Sequence, residues 1–143
     1  MDASKTSPNG STVLLVERDV LVRMPLATYL RECGYAVIEC GSGEEAMIVL
    51  QHQQVRVDVL LTEAELPGAL DGFSLMQKAR ECRPGVGTLI ASTPERAAAL
   101  AGKLCAEGPL VSKPYAPELV ADRIRQLLAA RLRSDASDRS ATE

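Results

Sequence analysis

Short apolar runs alternate along the chain with segments in which apolar residues recur at helical spacing. This alternation predicts five βα units and therefore a parallel sheet with helices packed on its faces. We expect strands over residues 12–17, 35–39, 57–62, 86–91 and 110–112. The run over 57–62 is mostly apolar, which is typical of a central strand that is buried on both faces.

The segments between these strands carry helix signals. The first helix ends at about Cys33 and contains Pro25, which lacks an N–H, so we expect the helix to start late or bend there. The later helices are marked by the capping box at residues 42–45, the apolar stripe over 73–82, Thr93-Pro94 before a short Ala-rich stretch, and Pro117. The pattern thus predicts an α/β fold.

One domain accounts for the 143 residues. We expect the folded part to cover residues 12–133. Residues 1–11 and 134–143 are polar and lack apolar periodicity, so both are predicted to be disordered tails.

Composition excludes several classes of function. A formal charge of −3 without a Lys/Arg cluster argues against nucleic-acid binding, and no stretch reaches the roughly 20 apolar residues of a membrane span. The N-terminus also lacks the apolar core of a signal peptide, so we expect a cytoplasmic protein. The four cysteines have no C-x-x-C spacing, and we expect reduced thiols and no zinc site.

Charged or hydroxyl side chains follow four of the predicted strands. Glu63 comes after the third strand, Glu17-Arg18-Asp19 after the first, Ser92 after the fourth and Lys113 after the fifth. Because open α/β sheets place their chemistry at the carboxyl ends of parallel strands, these side chains are predicted to form one site.

These motifs, in this order and spacing, resemble a response-regulator receiver domain of the CheY-like kind. The resemblance rests on the segments 14–18, 58–68, 71–72 and 112–115, which read LLVER, DVLLTEAELPG, DG and SKPY. It covers nearly all of the predicted folded part. It implies a flavodoxin-like (βα)5 sandwich, with a five-stranded parallel sheet in the order 2-1-3-4-5.

The resemblance also implies roles for the site residues. In the family, an aspartate after the third strand accepts a phosphoryl group from a histidine kinase, and two acids after the first strand hold Mg²⁺. Lys113 and Ser92 match the family's lysine and Ser/Thr, and Glu17 is an acceptable first acid. Arg18 stands at the second acid position and Glu63 at the phosphoacceptor position, so the site is degenerate.

The two departures balance in charge. Glu17, Arg18, Glu63 and Lys113 sum to zero without a metal ion. An arginine fork can bond a carboxylate through two parallel hydrogen bonds, so we expect Arg18 to pair with Glu63 in that way and to repel Mg²⁺. No cofactor is therefore expected. The alternative is that Arg18 points into solvent and that Glu17 and Asp19 hold a weak Mg²⁺.

Three further positions bear on the site. The aromatic residue that usually precedes the family's lysine by three positions is Leu110 here, so the usual aromatic switch is expected to be absent. Tyr115 is interpreted as a packing or partner-surface residue. The resemblance implies a cis Lys113–Pro114 bond, and Ser92 is alternatively the first residue of a capping box that ends at Glu95.

These observations predict a stand-alone, non-enzymatic signalling protein of a two-component system. It would act by phosphorylation-independent contact with a histidine kinase or another regulator, through the face formed by the fourth helix, fifth strand and fifth helix. A homodimer is left open. The alternatives are a conventional phosphorelay receiver with a residual or engineered site, and a flavin- or nucleotide-binding protein. The latter would need a phosphate-binding loop where Glu17-Arg18-Asp19 stands.

Overall fold

A computed structural model of the chain describes residues 10–93 and 110–142, with side chains as far as residue 133. The predicted fourth helix therefore lies outside the described residues. The strands are β1 (Thr12–Val16), β2 (Ala36–Cys40), β3 (Val59–Glu63), β4 (Gly87–Ser92) and β5 (Leu110–Ser112). The helices are α1 (Val20–Glu32), α2 (Gly43–Gln51), α3 (Gly72–Cys82) and α4 (Pro117–Thr142), the last of which is the predicted fifth helix.

The strands form one parallel sheet in the order β2-β1-β3-β4-β5. This is the predicted flavodoxin-like order, and each strand begins and ends within two residues of its predicted bounds. The central strand β3 is buried at every position, as its mostly apolar run indicated.

Two apolar cores lie on opposite faces of the sheet. Side chains alternate between the faces of a strand, so Val13 and Leu15 of β1 join the core beneath α1 and α4, whereas Leu14 and Val16 join the core beneath α2 and α3. The strand that leads into Glu17 is therefore held from both sides, which fixes the position of that acid.

Short polar side chains fix where three helices begin. Asp19, Ser42 and Asp71 are the N-caps of α1, α2 and α3, and each accepts a hydrogen bond from a backbone N–H in the first turn. The predicted capping box at α2 is present in modified form, because the Glu45 carboxylate accepts from the Gly41 amide.

The structure corrects three sequence expectations. Helix α1 begins at Val20 and runs through Pro25, so the expected late start is wrong, whereas the alternative of a bend at Pro25 stays a prediction. Helix α4 continues to Thr142, so residues 134–142 are helical backbone and not the expected tail; that stretch contains no glycine or proline to end the helix. At the other end, the Ser11 carbonyl accepts from the Ala36 amide, so Ser11 belongs to the fold. Within the described residues, no helix is long and apolar enough to cross a membrane.

One buried polar group has no partner among the described residues. The Tyr35 side chain is part of the core beneath α1 and α4, and its hydroxyl makes no hydrogen bond there. Burial raises the pKa of Tyr35, so the hydroxyl stays neutral. A buried hydroxyl that lacks a partner costs free energy relative to an apolar group of the same shape.

We therefore predict that Tyr35→Phe leaves the fold intact and increases the free energy of unfolding by about 1 kcal/mol. Urea denaturation followed by circular dichroism measures this change. A loss of stability of similar size would show that the hydroxyl is hydrogen-bonded.

Candidate functional site

The carboxyl ends of four strands meet at one edge of the sheet. Glu63 ends β3 opposite Ala91 of β4, Ser92 ends β4 opposite Ser112 of β5, and Glu17 directly follows β1. Lys113 follows β5 and donates its backbone N–H to the Ser92 carbonyl at 2.8 Å. The sheet thus brings Glu17, Glu63 and Lys113 together, with Ser92 beside them.

Glu17 is the most deeply buried member of the site, with a side chain that is 0% exposed. Its Oε1 accepts from the Lys113 Nζ at 2.9 Å and from the Tyr115 hydroxyl at 3.1 Å. Its Oε2 accepts from the Asp19 backbone N–H at 3.0 Å. Both oxygens of this acid are therefore engaged.

Glu63 is also buried, with 3% of its side chain exposed. The Arg18 backbone N–H donates to its Oε2 at 2.5 Å, and the Lys113 ammonium lies 3.3 Å from its Oε1. Its backbone is crowded as well, because a Cβ on Gly72 would overlap the Glu63 carbonyl oxygen. Only glycine at position 72 lets α3 begin this close to the end of β3.

Lys113 bridges the two acids. Its ammonium contacts one oxygen of Glu17 and one of Glu63 and lies 5.7 Å above the centre of the Tyr115 ring, within the range of a cation–π contact. The Lys113–Pro114 bond is cis, as the family resemblance implied.

Arg18 contacts Glu63 in a different way from that predicted. The expected two-pronged guanidinium pair is wrong: the Arg18 Nε lies 3.7 Å from Glu63 Oε1, and 57% of the side chain is exposed. The close donor is the Arg18 backbone N–H. The chain turns at residues 17–19, which points this amide into the site and leaves the long side chain at its outer rim.

Asp19 serves as a helix cap in this structure. It is exposed, and its Oδ1 accepts from the Leu21 backbone N–H as the N-cap of α1. The backbone N–H of Asp19, and not its carboxylate, contacts Glu17. The fallback pair of Glu17 and Asp19 as Mg²⁺ ligands therefore stays a prediction; in this structure the Asp19 carboxylate caps α1.

Tyr115 is the site residue whose role the sequence analysis missed. Its ring packs against the core beneath α1 and α4, as expected, but its hydroxyl donates to Glu17. The available signal was its position two residues after Lys113, which places its side chain near that of the lysine.

Ser92 lies at the end of β4 and is buried. The capping box proposed for Ser92 and Glu95 extends outside the described residues. The aromatic position before the lysine holds Leu110, which ends up partly buried at the start of β5.

Comparison with known proteins identifies the family of this domain. The family model of the response regulator receiver domain matches residues 13–125. The chain belongs to the response regulator receiver domain family. Sensor kinase CckA of Brucella abortus (strain 2308) is 30% identical over 125 residues, which are 86% of this chain and 13% of that protein. This chain spans less than half the length of the curated relatives compared.

Solved structures of receiver domains match as well. The receiver domain of the hybrid histidine kinase CckA is 29% identical with a TM-score of 0.68, and the match covers 82% of this chain and 99% of that one. A response regulator receiver protein of Sinorhizobium medicae WSM419 has a TM-score of 0.76 at 23% identity, covering 85% of this chain and 96% of that one, and supports the fold alone.

The two acids of this receiver domain differ in electrostatics. Burial raises the pKa of Glu17, but the hydrogen bonds from Lys113 and the Asp19 amide outweigh it, so the pKa lies below its usual value. Burial also raises the pKa of Glu63. There the Arg18 amide only partly offsets the rise, and the negative charge of Glu17 adds to it, so the pKa stays above its usual value.

The pKa of Lys113 is also shifted by Glu17 and Glu63. Burial lowers the pKa of Lys113, but the hydrogen bond and charge of Glu17 outweigh this and raise it. Lys113 therefore remains an ammonium ion whose closest partner is Glu17.

The receiver fold implies a Mg²⁺ ion at this edge, and the residues present do not fit one. Mg²⁺ requires several oxygen ligands with open lone pairs in octahedral geometry. Here Lys113 lies between the two buried acids, and Arg18 stands at the rim. Across residues 10–93 and 110–133, no group of three or more His, Cys, Asp or Glu side chains could hold a metal.

Removing the bridging ammonium should destabilise the fold in a pH-dependent way. Lys113→Met leaves two buried carboxylates without a cation between them, and we predict a loss of about 3 kcal/mol at neutral pH. Without Lys113, burial dominates the pKa of both acids and raises it above the unfolded value. Stability is then lost as pH rises through the folded pKa values, so the deficit relative to wild type should shrink in acid.

Urea denaturation from pH 4 to pH 8 checks this, with the exposed Lys78→Met on α3 as the matched control. That control should change stability by less than about 0.5 kcal/mol. A deficit that is the same for both lysines would contradict the bridging role.

Glu63→Gln should change the pH dependence of stability in the sense opposite to Lys113→Met, so that the variant gains stability relative to wild type as pH rises. The folded pKa of Glu63 is raised, so wild type loses stability as pH rises through it, whereas glutamine does not titrate in this range. We predict that the stability of the variant relative to wild type increases from about pH 4 to neutral pH. The exposed Glu32→Gln on α1 serves as control and should not show this trend.

Proposed function

We propose that this receiver domain signals by protein contact without being phosphorylated. The observation that carries the proposal is the state of Glu63, the residue at the phosphoacceptor position. It is a buried glutamate whose two oxygens already contact the Arg18 amide and the Lys113 ammonium.

A phosphoryl acceptor needs a carboxylate oxygen that is free to approach phosphorus in line with the leaving group. Glu63 is one methylene longer than aspartate, and its backbone is held by the close approach of Gly72. A displacement of about 1 Å from the attack geometry can cost about 100-fold in rate. Glu63 is therefore a poor nucleophile for this transfer.

The charge around Glu63 also opposes phosphoryl transfer. In phosphoryl-transfer sites, metal ions clamp the transferred group and neutralise the charge that develops on it. Here the position expected to supply the second metal ligand is Arg18, whose side chain is at the rim. Lys113 is already shared between the two acids, so little positive charge is left to stabilise an incoming phosphoryl group.

The partner we propose is a protein of two-component signalling, such as a histidine kinase or another regulator. The similarity to a sensor kinase and to the receiver domain of a hybrid histidine kinase supports this class of partner. Part of the expected contact face lies within the described residues. Beside β5 and α4 is a cavity of about 340 Å³ that is lined in part by Leu110, Ser112 and the exposed Leu119.

Incubation with acetyl phosphate and Mg²⁺, followed by intact-mass spectrometry, tests the proposal. We predict that the wild-type chain gains no phosphoryl group. A stable adduct that peptide mapping assigns to Glu63 would overturn the proposal and would favour a conventional phosphorelay receiver.

Two variants show which residue prevents phosphorylation. Glu63→Asp restores the acceptor type alone, and Glu63→Asp with Arg18→Asp also restores the second acid. We expect the double variant to be phosphorylated faster than Glu63→Asp, since it regains a metal ligand as well as the shorter nucleophile. Equal labelling of both variants would show that Glu63 alone was the block.

A further inference from the structure

The Tyr115 hydroxyl donates a hydrogen bond to Glu17, which stands at the family's first metal-ligand position. This bond occupies one of the lone pairs that a divalent cation would use. A carboxylate has about four lone-pair positions. In Glu17, two of them on Oε1 accept from Lys113 and Tyr115, and one on Oε2 accepts from the Asp19 amide. A cation that approaches Oε1 of Glu17 must therefore displace a donor, and only one position, on Oε2, is left open.

We infer that Tyr115 closes this acid pocket to divalent cations, acting as a positioning residue that holds Glu17 and Lys113 together. The inference deepens the proposed function and rests on it, because both assign the site to a state without metal or phosphate. It gives a role in the site to Tyr115, which the SKPY segment contains but to which neither the resemblance nor the charge balance assigned such a role.

The donors around Glu17 are not equally easy to displace. The Asp19 amide is fixed by the backbone at the start of α1. The Tyr115 ring packs against the core and lies beneath the Lys113 ammonium. These contacts restrain the ring and hold its hydroxyl close to Glu17. A long lysine side chain can swing away on its flexible stem, whereas the partly buried Tyr115 ring is restrained by its packing against the core.

The Tyr115 hydroxyl also remains protonated, so it stays a hydrogen-bond donor. Burial raises the pKa of Tyr115, and the charge of Glu17 raises it further, so the phenol keeps its proton at neutral pH. A neutral phenol that donates to a buried carboxylate forms a charge-assisted hydrogen bond, which is stronger than a bond between neutral groups. Such a bond keeps Glu17 in its observed orientation toward Lys113.

The test compares Mg²⁺ affinity among four proteins: wild type, Tyr115→Phe, Arg18→Asp and the double variant. Tyr115→Phe removes the hydroxyl and keeps the ring. Arg18→Asp supplies the acid that the site lacks. Titration with millimolar MgCl₂, followed by backbone amide NMR at residues 18 and 19, reports binding at this site without requiring any activity.

We expect no saturable shift in wild type or in Tyr115→Phe, and weak binding in Arg18→Asp. The double variant should bind Mg²⁺ about tenfold or more tightly than Arg18→Asp, since it no longer breaks a hydrogen bond to a charged group. Tyr35→Phe in the Arg18→Asp background is the matched control, because it removes a buried tyrosine hydroxyl from the same core, and it should leave the affinity unchanged.

Equal affinities of Arg18→Asp and the double variant would overturn the inference, as would saturable Mg²⁺ binding at residues 18 and 19 of wild type. If Arg18→Asp does not fold, Arg18→Asn supplies an oxygen ligand without a third negative charge and carries the same comparison. A phosphoryl adduct on Glu63 would contradict the proposed function but not the role of Tyr115. Equal Mg²⁺ affinities of Arg18→Asp and the double variant would contradict the role of Tyr115 but not the proposed function.

Discussion

The site depends on one ion-pair arrangement, in which the Lys113 ammonium lies between the carboxylates of Glu17 and Glu63. Both acids are almost fully removed from water, and a buried charge without a partner costs several kcal/mol. Burial raises the pKa of Glu63, with the charge of Glu17 adding to it, whereas the hydrogen bonds from Lys113 and the Asp19 amide outweigh burial at Glu17 and lower its pKa. The backbone amides of residues 18 and 19 and the Tyr115 hydroxyl add further stabilisation as hydrogen-bond donors.

Much of this arrangement could be predicted from the sequence. The order of the strands follows from βα alternation together with the family motifs, and the meeting of Glu17, Glu63 and Lys113 follows from parallel strands whose carboxyl ends share an edge. Glycine at position 72 was part of a recognised motif. Its steric reason became visible only when α3 was placed against the end of β3.

The direction of individual side chains could not be predicted. Counting formal charges assigned Arg18 to Glu63 through its guanidinium, but the turn after β1 presents the amide instead and leaves the side chain exposed. Asp19 was a candidate metal ligand because aspartate is both a common metal ligand and a common helix N-cap. Its role as the N-cap of α1 depends on backbone angles that the sequence does not show. The Tyr115 hydroxyl was missed because an aromatic residue in a core says nothing by itself about where its polar end points.

The contact between Gly72 and the Glu63 carbonyl has a mechanical consequence. The first residue of α3 rests directly on the peptide that carries the central acid, and the Gly72 N–H bonds the neighbouring Ala64 carbonyl at 2.9 Å. The start of α3 and the peptide of Glu63 are therefore held against each other, and any side chain larger than hydrogen at position 72 would push them apart.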